Sequence, residues 1–150
     1  MMGIRQMAED VGADGDYVDV GPRHLLTSLL MRRVDDPEAG PSLEMDLRDE
    51  VVNPHGSLHG GLMGVLIECG AAGCAVQAVG SADIVASDMH VRFLTTVTVG
   101  PARVVSSVLR RGGRAVVVRA DVIDVGNDRT LVASATLSYA LLDRAGAAPS

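Results

Sequence analysis

The segment Leu62–Val79 is the only long apolar stretch of the chain, and it contains a single charged residue, Glu68. A helix that is apolar on nearly every side must be covered on nearly every side. Gln77, three glycines and the central carboxylate set the segment apart from a membrane span. It therefore predicts the buried helix of a soluble domain, and the rest of the chain has to supply the cover.

The flanking sequence supplies strands. Leu43, Met45 and Leu47 alternate with Glu44, Asp46 and Arg48, the pattern of a half-buried strand. "TSLLMRRVDD" precedes this run across the turn-rich "PEAG", so the two read as a hairpin. After the helix, "IVASDMHVRFLTTVTV" predicts one long strand over 84–99, broken at Gly100-Pro101. "ARVVSSVLRR" and "RAVVVRADVIDV" flank Gly112-Gly113, a hairpin signal, and "GNDR" marks a further turn before "TLVASATLSYALLD". Two strands, one helix and four strands predict an α+β domain in which a curved, mainly antiparallel sheet wraps one long central helix. With 2% aromatic residues, the core must come from Val, Leu, Ile, Ala and Met. Residues 1–21 are polar and acidic and read as a flexible N-terminal segment. Residues 22–150 read as one domain, opening with Pro22 and "RHLLTSL" as a short helix or the approach to a strand.

Charge and composition exclude several functions. The net charge of −6 and the scarcity of rings leave neither a basic surface nor a stacking platform for nucleic acid. All thirteen basic residues are Arg, so a lysine Schiff base is excluded. Cys69 and Cys74 would point about 140° apart on a helix and cannot bridge locally. The absence of a disulfide framework and of an apolar leader implies a cytoplasmic protein.

The chemistry concentrates in "NPHGSLHGGLMGVLIECGAA". Gly60 and Gly61 stand where the helix begins. The first-turn N–H groups lack helical partners there, and the dipole favours negative charge. Such a terminus can act as an oxyanion hole, or the glycines can simply permit a tight turn. Glu68 is a candidate nucleophile or general base if burial raises its proton affinity. Alternatively it is a structural carboxylate, paired to an Arg or reaching solvent at a gap. Asn53 can donate toward a carbonyl or form an Asx-turn before Pro54. His59 can polarise a substrate or hold the loop. His55 and His59 are four apart, but Pro54 and Gly56 place them on a loop with no third ligand at a convincing spacing, so no metal site is expected. Gly60 and Glu68 are eight residues apart, or ~12 Å along a helix axis. One carbonyl cannot readily reach both from a single helix. If they cooperate, Gly60 of one copy must face Glu68 of another, and the protein must be at least a dimer.

Asn-Pro-His-Gly-Ser-Leu-His-Gly-Gly, with an acidic residue nine positions after the second His, resembles the hotdog-fold acyl-CoA thioesterases, closest to the phenylacetate-pathway and 4-hydroxybenzoyl-CoA branch. The resemblance spans roughly residues 24–142. It implies a homodimer or dimer of dimers with sites at the dimer interface, acyl-CoA as the substrate, and no metal or prosthetic group. By position, Gly60 matches the glycine whose N–H polarises the thioester carbonyl. Glu68 matches the acid that attacks that carbonyl or activates water. Asn53 and His59 match supporting polar residues, with Gly61 beside them. Two departures stand out. The hydroxyl that members often carry two residues before the strand's acid is Ala86 here, with Ser87 one position later, on the opposite side of a regular strand. Where members often place Arg-Pro after "FL", this chain has Thr95-Thr96. CoA phosphates suit Arg forks, which makes Arg110, Arg111 and Arg114 candidates at the second hairpin, equally readable as a solvated turn. Two other activities remain on the same fold: a hydratase or dehydratase, and a non-catalytic acyl-CoA-binding protein or sensor.

Overall fold

The computed structural model describes Gly21 and residues 24–142. Apart from Gly21, the segment expected to be flexible lies outside the described residues, as does Pro22. The order is α1 (Leu25–Ser28), β1 (Arg32–Asp36), β2 (Gly40–Met45), a 3-10 turn (Asp49–Val51), α2 (Gly60–Val79), β3 (Ile84–Phe93), β4 (Ala102–Arg111), β5 (Ala115–Asp124) and β6 (Thr130–Leu141). The six strands form one antiparallel sheet in the order β1-β2-β4-β5-β6-β3. This curved sheet around one long helix is the hotdog architecture expected from the sequence.

Helix α2 lies chiefly on β4 and β5. Leu66, Ile67, Ala71 and Ala75 are fully buried against a layer that includes Val104, Val116, Val118, Ala120 and Val122. By length and composition α2 could cross a membrane, but it is the core helix of this sheet. Contact with β4 is close enough that a Cβ on Gly70 would overlap the Val104 side chain, so the glycine sets the helix–sheet spacing. Gly80, in the left-handed region at φ 75°, ends the helix, its N–H bonded to the Val76 carbonyl.

One expectation fails in part. The strand predicted over 84–99 ends at Phe93. Beyond it the N–H groups of Leu94 and Thr95 both donate to the Val132 carbonyl. Those of Thr98, Val99 and Gly100 donate to the carboxylate of Asp124, which is fully buried at the end of β5. One carboxylate thus replaces a strand partner for three successive donors.

The β1–β2 hairpin is held to the sheet by ions as well as by its ladder. Arg103 donates to Asp36 at 2.9 Å and Glu44 at 2.7 Å, Arg32 binds Glu44 and Asp46, and Arg129 reaches Asp36 at 3.0 Å. Burial pushes the Asp36 carboxyl up, but Arg103, the Glu38 and Ala39 N–H groups and Arg129 together bring it well below the usual carboxylate range. Breaking one member of such a buried network costs about 3–5 kcal/mol.

Candidate functional site

The loop before α2 is built by Asn53. Its side-chain oxygen accepts from the N–H groups of His55 (2.9 Å) and Ser57 (3.3 Å), and its Nδ2 donates to Ser57 Oγ at 2.9 Å. The Asx-turn that the sequence allowed is formed. A short bridge between Val52 and Leu58, and bonds from Leu58 N–H to Val97 O and from His59 N–H to Val51 O, fasten the loop to the 3-10 turn and to the segment that follows β3.

His59 is the N-cap of α2. Its Nδ1 accepts from Gly61 N–H at 3.1 Å, so the neutral ring carries its proton on Nε2. The carbonyl of His59 takes the N–H groups of Leu62 and Met63. Gly61 N–H is therefore occupied, and among the described residues Gly60 N–H is the open donor of the first turn. The ring of Phe93, more than half exposed at the end of β3, comes within 3.8 Å of where a Gly60 Cβ would stand. Sequence reading passed over Phe93, although it is the only Phe in the chain.

Glu68 is half-buried two turns further along. Its carboxylate accepts from the Cys69 thiol, 3.9 Å from Oε2, and no Arg pairs with it among the described residues. Of the two structural readings, the Arg pair is not formed among the described residues, while the carboxylate keeps partial exposure to solvent. Burial raises its pKa above the ordinary Glu value, with only partial relief from the Cys69 hydrogen bond. Burial and the facing carboxylate push the Cys69 thiol up to about 12, which makes it a poor nucleophile. Tyr139, fully buried on β6, donates its hydroxyl to the Glu68 carbonyl at 3.1 Å. Tyr139 pairs with Ala86 across the β3–β6 ladder.

The ladder also revises Ser87. A bulge falls between Ala86 and Asp88, leaving Ser87 as the extra residue. Its hydroxyl donates to Ser138 O at 3.1 Å rather than standing free on the opposite face. Thr95 is exposed just past β3. Arg110, Arg111 and Arg114 are exposed at the β4–β5 hairpin, where Leu141 N–H bonds Arg114 O and the neighbouring Leu142 bonds Asp83 O. Asp83 follows the C-terminal end of α2. The Arg cluster therefore lies at the opposite end of a ~30 Å helix from the Gly60 of its own chain. His55 is exposed on the Asx loop. Among the described residues no three His, Cys, Asp or Glu side chains cluster to hold a metal.

Residues 55–130 match the family model described as the thioesterase superfamily. No protein of curated function matches the chain. Among solved structures, a thioesterase-superfamily protein is 28% identical with a TM-score of 0.68, covering 80% of this chain and 91% of its own. A thioesterase from Haemophilus influenzae is 18% identical with a TM-score of 0.69, over 83% of this chain and 88% of its own. A Bacillus halodurans protein solved with CoA is 21% identical with a TM-score of 0.59, over 71% and 70%.

Proposed function

The chain belongs to the thioesterase superfamily, and on that premise we propose that it hydrolyses an acyl-CoA thioester to the free acid and CoA, at a site shared by two copies of the chain. Glu68 carries this reading: a half-buried carboxylate on an apolar helix, without a cation, is a base of raised proton affinity. Water gives a proton to Glu68 as its oxygen bonds to the thioester carbonyl carbon. The developing oxyanion is received by the N–H of the partner subunit's Gly60 at the positive end of its helix. When the C–S bond breaks, the carbonyl re-forms and Glu68 returns the proton to the departing thiolate. Asn53 and His59 act through the loop they build, which leaves Gly60 and not Gly61 as the donor. The reaction draws on no metal or prosthetic group.

Two features support a second copy. The Gly60-to-Glu68 spacing of ~12 Å is too long for one carbonyl. Strand β3 is a ten-residue sheet edge that exposes Val85, Met89 and Phe93, an edge of the kind another chain completes. In an antiparallel pair the Arg110, Arg111 and Arg114 hairpin lies toward the partner's Gly60, within reach of CoA phosphates bound there.

The test is thiol release from acetyl-, octanoyl-, palmitoyl- and phenylacetyl-CoA by the wild type and by Glu68→Gln. We expect turnover of at least one substrate and its near loss in the variant with the fold retained. Saturable binding without thiol release would favour a sensor instead, and wild-type kcat in Glu68→Gln would remove that residue from the mechanism.

A further inference from the structure

Gly60, Gly64 and Glu68 are spaced four apart on α2, so they share one side of the helix. Gly64 stands midway between the proposed donor and the proposed base. A glycine inside a helix lowers its stability relative to alanine, so its presence calls for a reason. Gly70 has one in the Val104 side chain. Gly64 has none within its own chain, because a Cβ there would meet nothing within 4 Å.

A two-fold axis supplies the reason. This rests on the shared-site reading above, in which Gly60 of one copy faces the partner subunit's Glu68. Symmetry then requires the reciprocal contact, Glu68 facing the partner's Gly60. The residue midway between them must face its own copy, and that residue is Gly64. Helices that meet along ridges of residues four apart cross at about −50°, with axes ~8–10 Å apart according to the side chains at the contact. A glycine at the contact allows the closest approach. The crossing angle opens a gap on either side of Gly64, and the two proposed sites lie in those gaps.

Strand β3 points to the same axis by a separate route. It runs back along α2, from Ile84 beyond the far end of the helix to Phe93 beside Gly60. Gly64 is ~6 Å along the helix from Gly60. The same ~6 Å along β3 from Phe93 reaches Val91. Met89, Val91 and Phe93 pair with Leu137, Ala135 and Ala133, all buried, and so face the helix side of the sheet. Of the three, Met89 and Phe93 are exposed, 46% and 57%, and they are equally spaced about Val91. An antiparallel copy with Val91 opposite the partner's Val91 therefore lays each Met89 against the partner's Phe93. Thioether against aromatic ring is a favourable cross-strand pair.

We propose that the dimer axis passes between Gly64 and the partner's Gly64 and between Val91 and the partner's Val91. The missing side chain at Gly64 sets the helix spacing at which one thioester carbonyl spans the Gly60 N–H and the partner's Glu68. Gly64 is a positioning residue and touches no substrate atom.

The experiment oxidises full-length Gly64→Cys and Val91→Cys with copper phenanthroline and resolves them without reductant. Residues directly opposite in an antiparallel strand pair have Cα atoms ~4.5–5.5 Å apart, and a disulfide spans ~4.4–6.8 Å. Each variant should run as a covalent dimer that reductant dissolves, while the wild type, with Cys69 buried and Cys74 partly so, stays a single chain. Gly73→Cys is the control: its position is equally open but lies on the flank of α2 that lines a groove against β4 and the β1–β2 hairpin. It should stay unlinked. An unlinked Gly64→Cys or Val91→Cys, or linkage of Gly73→Cys in their place, overturns the proposal. Gly64→Leu puts a side chain at the crossing without a clash in its own chain, and a misplacement of ~1 Å should lower kcat about 10²-fold with helix content unchanged. Wild-type kcat in Gly64→Leu also overturns the proposal. Linkage is read without turnover, so the two ideas fail separately. Both variants linked in a protein that releases no thiol sustain the axis and sink the hydrolase, and turnover with Gly64→Cys unlinked sinks the axis alone.

Discussion

Gly60→Pro tests the shared site with little disturbance to the fold. Gly60 is the first residue of α2, and the preceding His59 has φ −62° and ψ 127°, an extended conformation that a following proline accepts. Proline is favoured at this helix position because its missing N–H would have no helical acceptor. The substitution therefore deletes the proposed oxyanion donor while the His59 cap on Gly61 and the His59 carbonyl bonds to Leu62 and Met63 stay in place. Loss of one oxyanion donor lowers kcat by about 10²–10³. The Tm should shift by no more than ~2 °C, since no packed atom is removed. The informative measurement is a mixture. Gly60→Pro and Glu68→Gln homodimers are each inactive in both sites. In a heterodimer of the two, one site carries both lesions and the other carries neither. Equal mixing after mild denaturation and refolding makes half the dimers heterodimeric, so recovered activity should approach about a quarter of wild type. If the mixture forms dimers but stays as inactive as its parents, the two residues serve the same chain, and the spacing-based case for a shared site is wrong.

The pH dependence should follow Glu68. Its raised pKa means the ionised base is lost below a point above the ordinary ~4.3 of a glutamate, so kcat/KM should fall on the acid side there. The folded state binds that proton more tightly than the unfolded chain, so Glu68 ionisation lowers stability as pH rises from the unfolded pKa through the folded one. Urea midpoints measured across that window should decline less in Glu68→Gln, and an equal decline would contradict the assignment. Gly73→Ala gains helix propensity without a clash and should stabilise by ~1 kcal/mol. Gly70→Ala meets the β-branched, buried Val104 and should cost about 1–3 kcal/mol against that gain, so urea curves that rank Gly70→Ala as the more stable would refute the packing account. Asp124→Ala strands the N–H groups of Thr98, Val99 and Gly100, and denaturation should show a loss of at least ~3 kcal/mol. Arg111→Ala and Arg114→Ala should raise KM for acyl-CoA several-fold but not for the acyl-pantetheine thioester, which lacks the nucleotide phosphates; equal KM values for acyl-CoA would free the hairpin of that role.

Element order was legible because each element carries its own period: alternation in β2, uniform apolarity in α2, and turn chemistry at Gly112-Gly113. What the sequence could not show depends on partners distant along the chain. Strand β3 stops at Phe93, where the N–H groups of Leu94 and Thr95 both turn to the Val132 carbonyl, and Asp124, at the end of β5, then takes the N–H groups of Thr98, Val99 and Gly100. Nothing in "FLTTVTV" announces that acceptor. Ser87 lies on a bulge defined by the β6 register, which local alternation cannot reveal. Asn53, His59, Gly60 and Glu68 were visible as polar or glycine positions beside an apolar run. Their division of labour was not, since it turns on which acceptor His59 presents and on whether an Arg reaches Glu68.

The same separation is why the proposed mechanism distributes its chemistry over two copies. His59 consumes the Gly61 donor and leaves Gly60 open, while two turns away an apolar helix keeps Glu68 without a cation. Neither feature is complete alone. An open N–H at a helix end stabilises charge but cannot take a proton, and a desolvated carboxylate takes a proton but cannot stabilise an oxyanion. A rigid helix fixes them ~12 Å apart within one chain, so in the proposed dimer the exposed β3 edge would bear on function as well as on assembly: pairing across it would bring the donor of one helix to the base of the other.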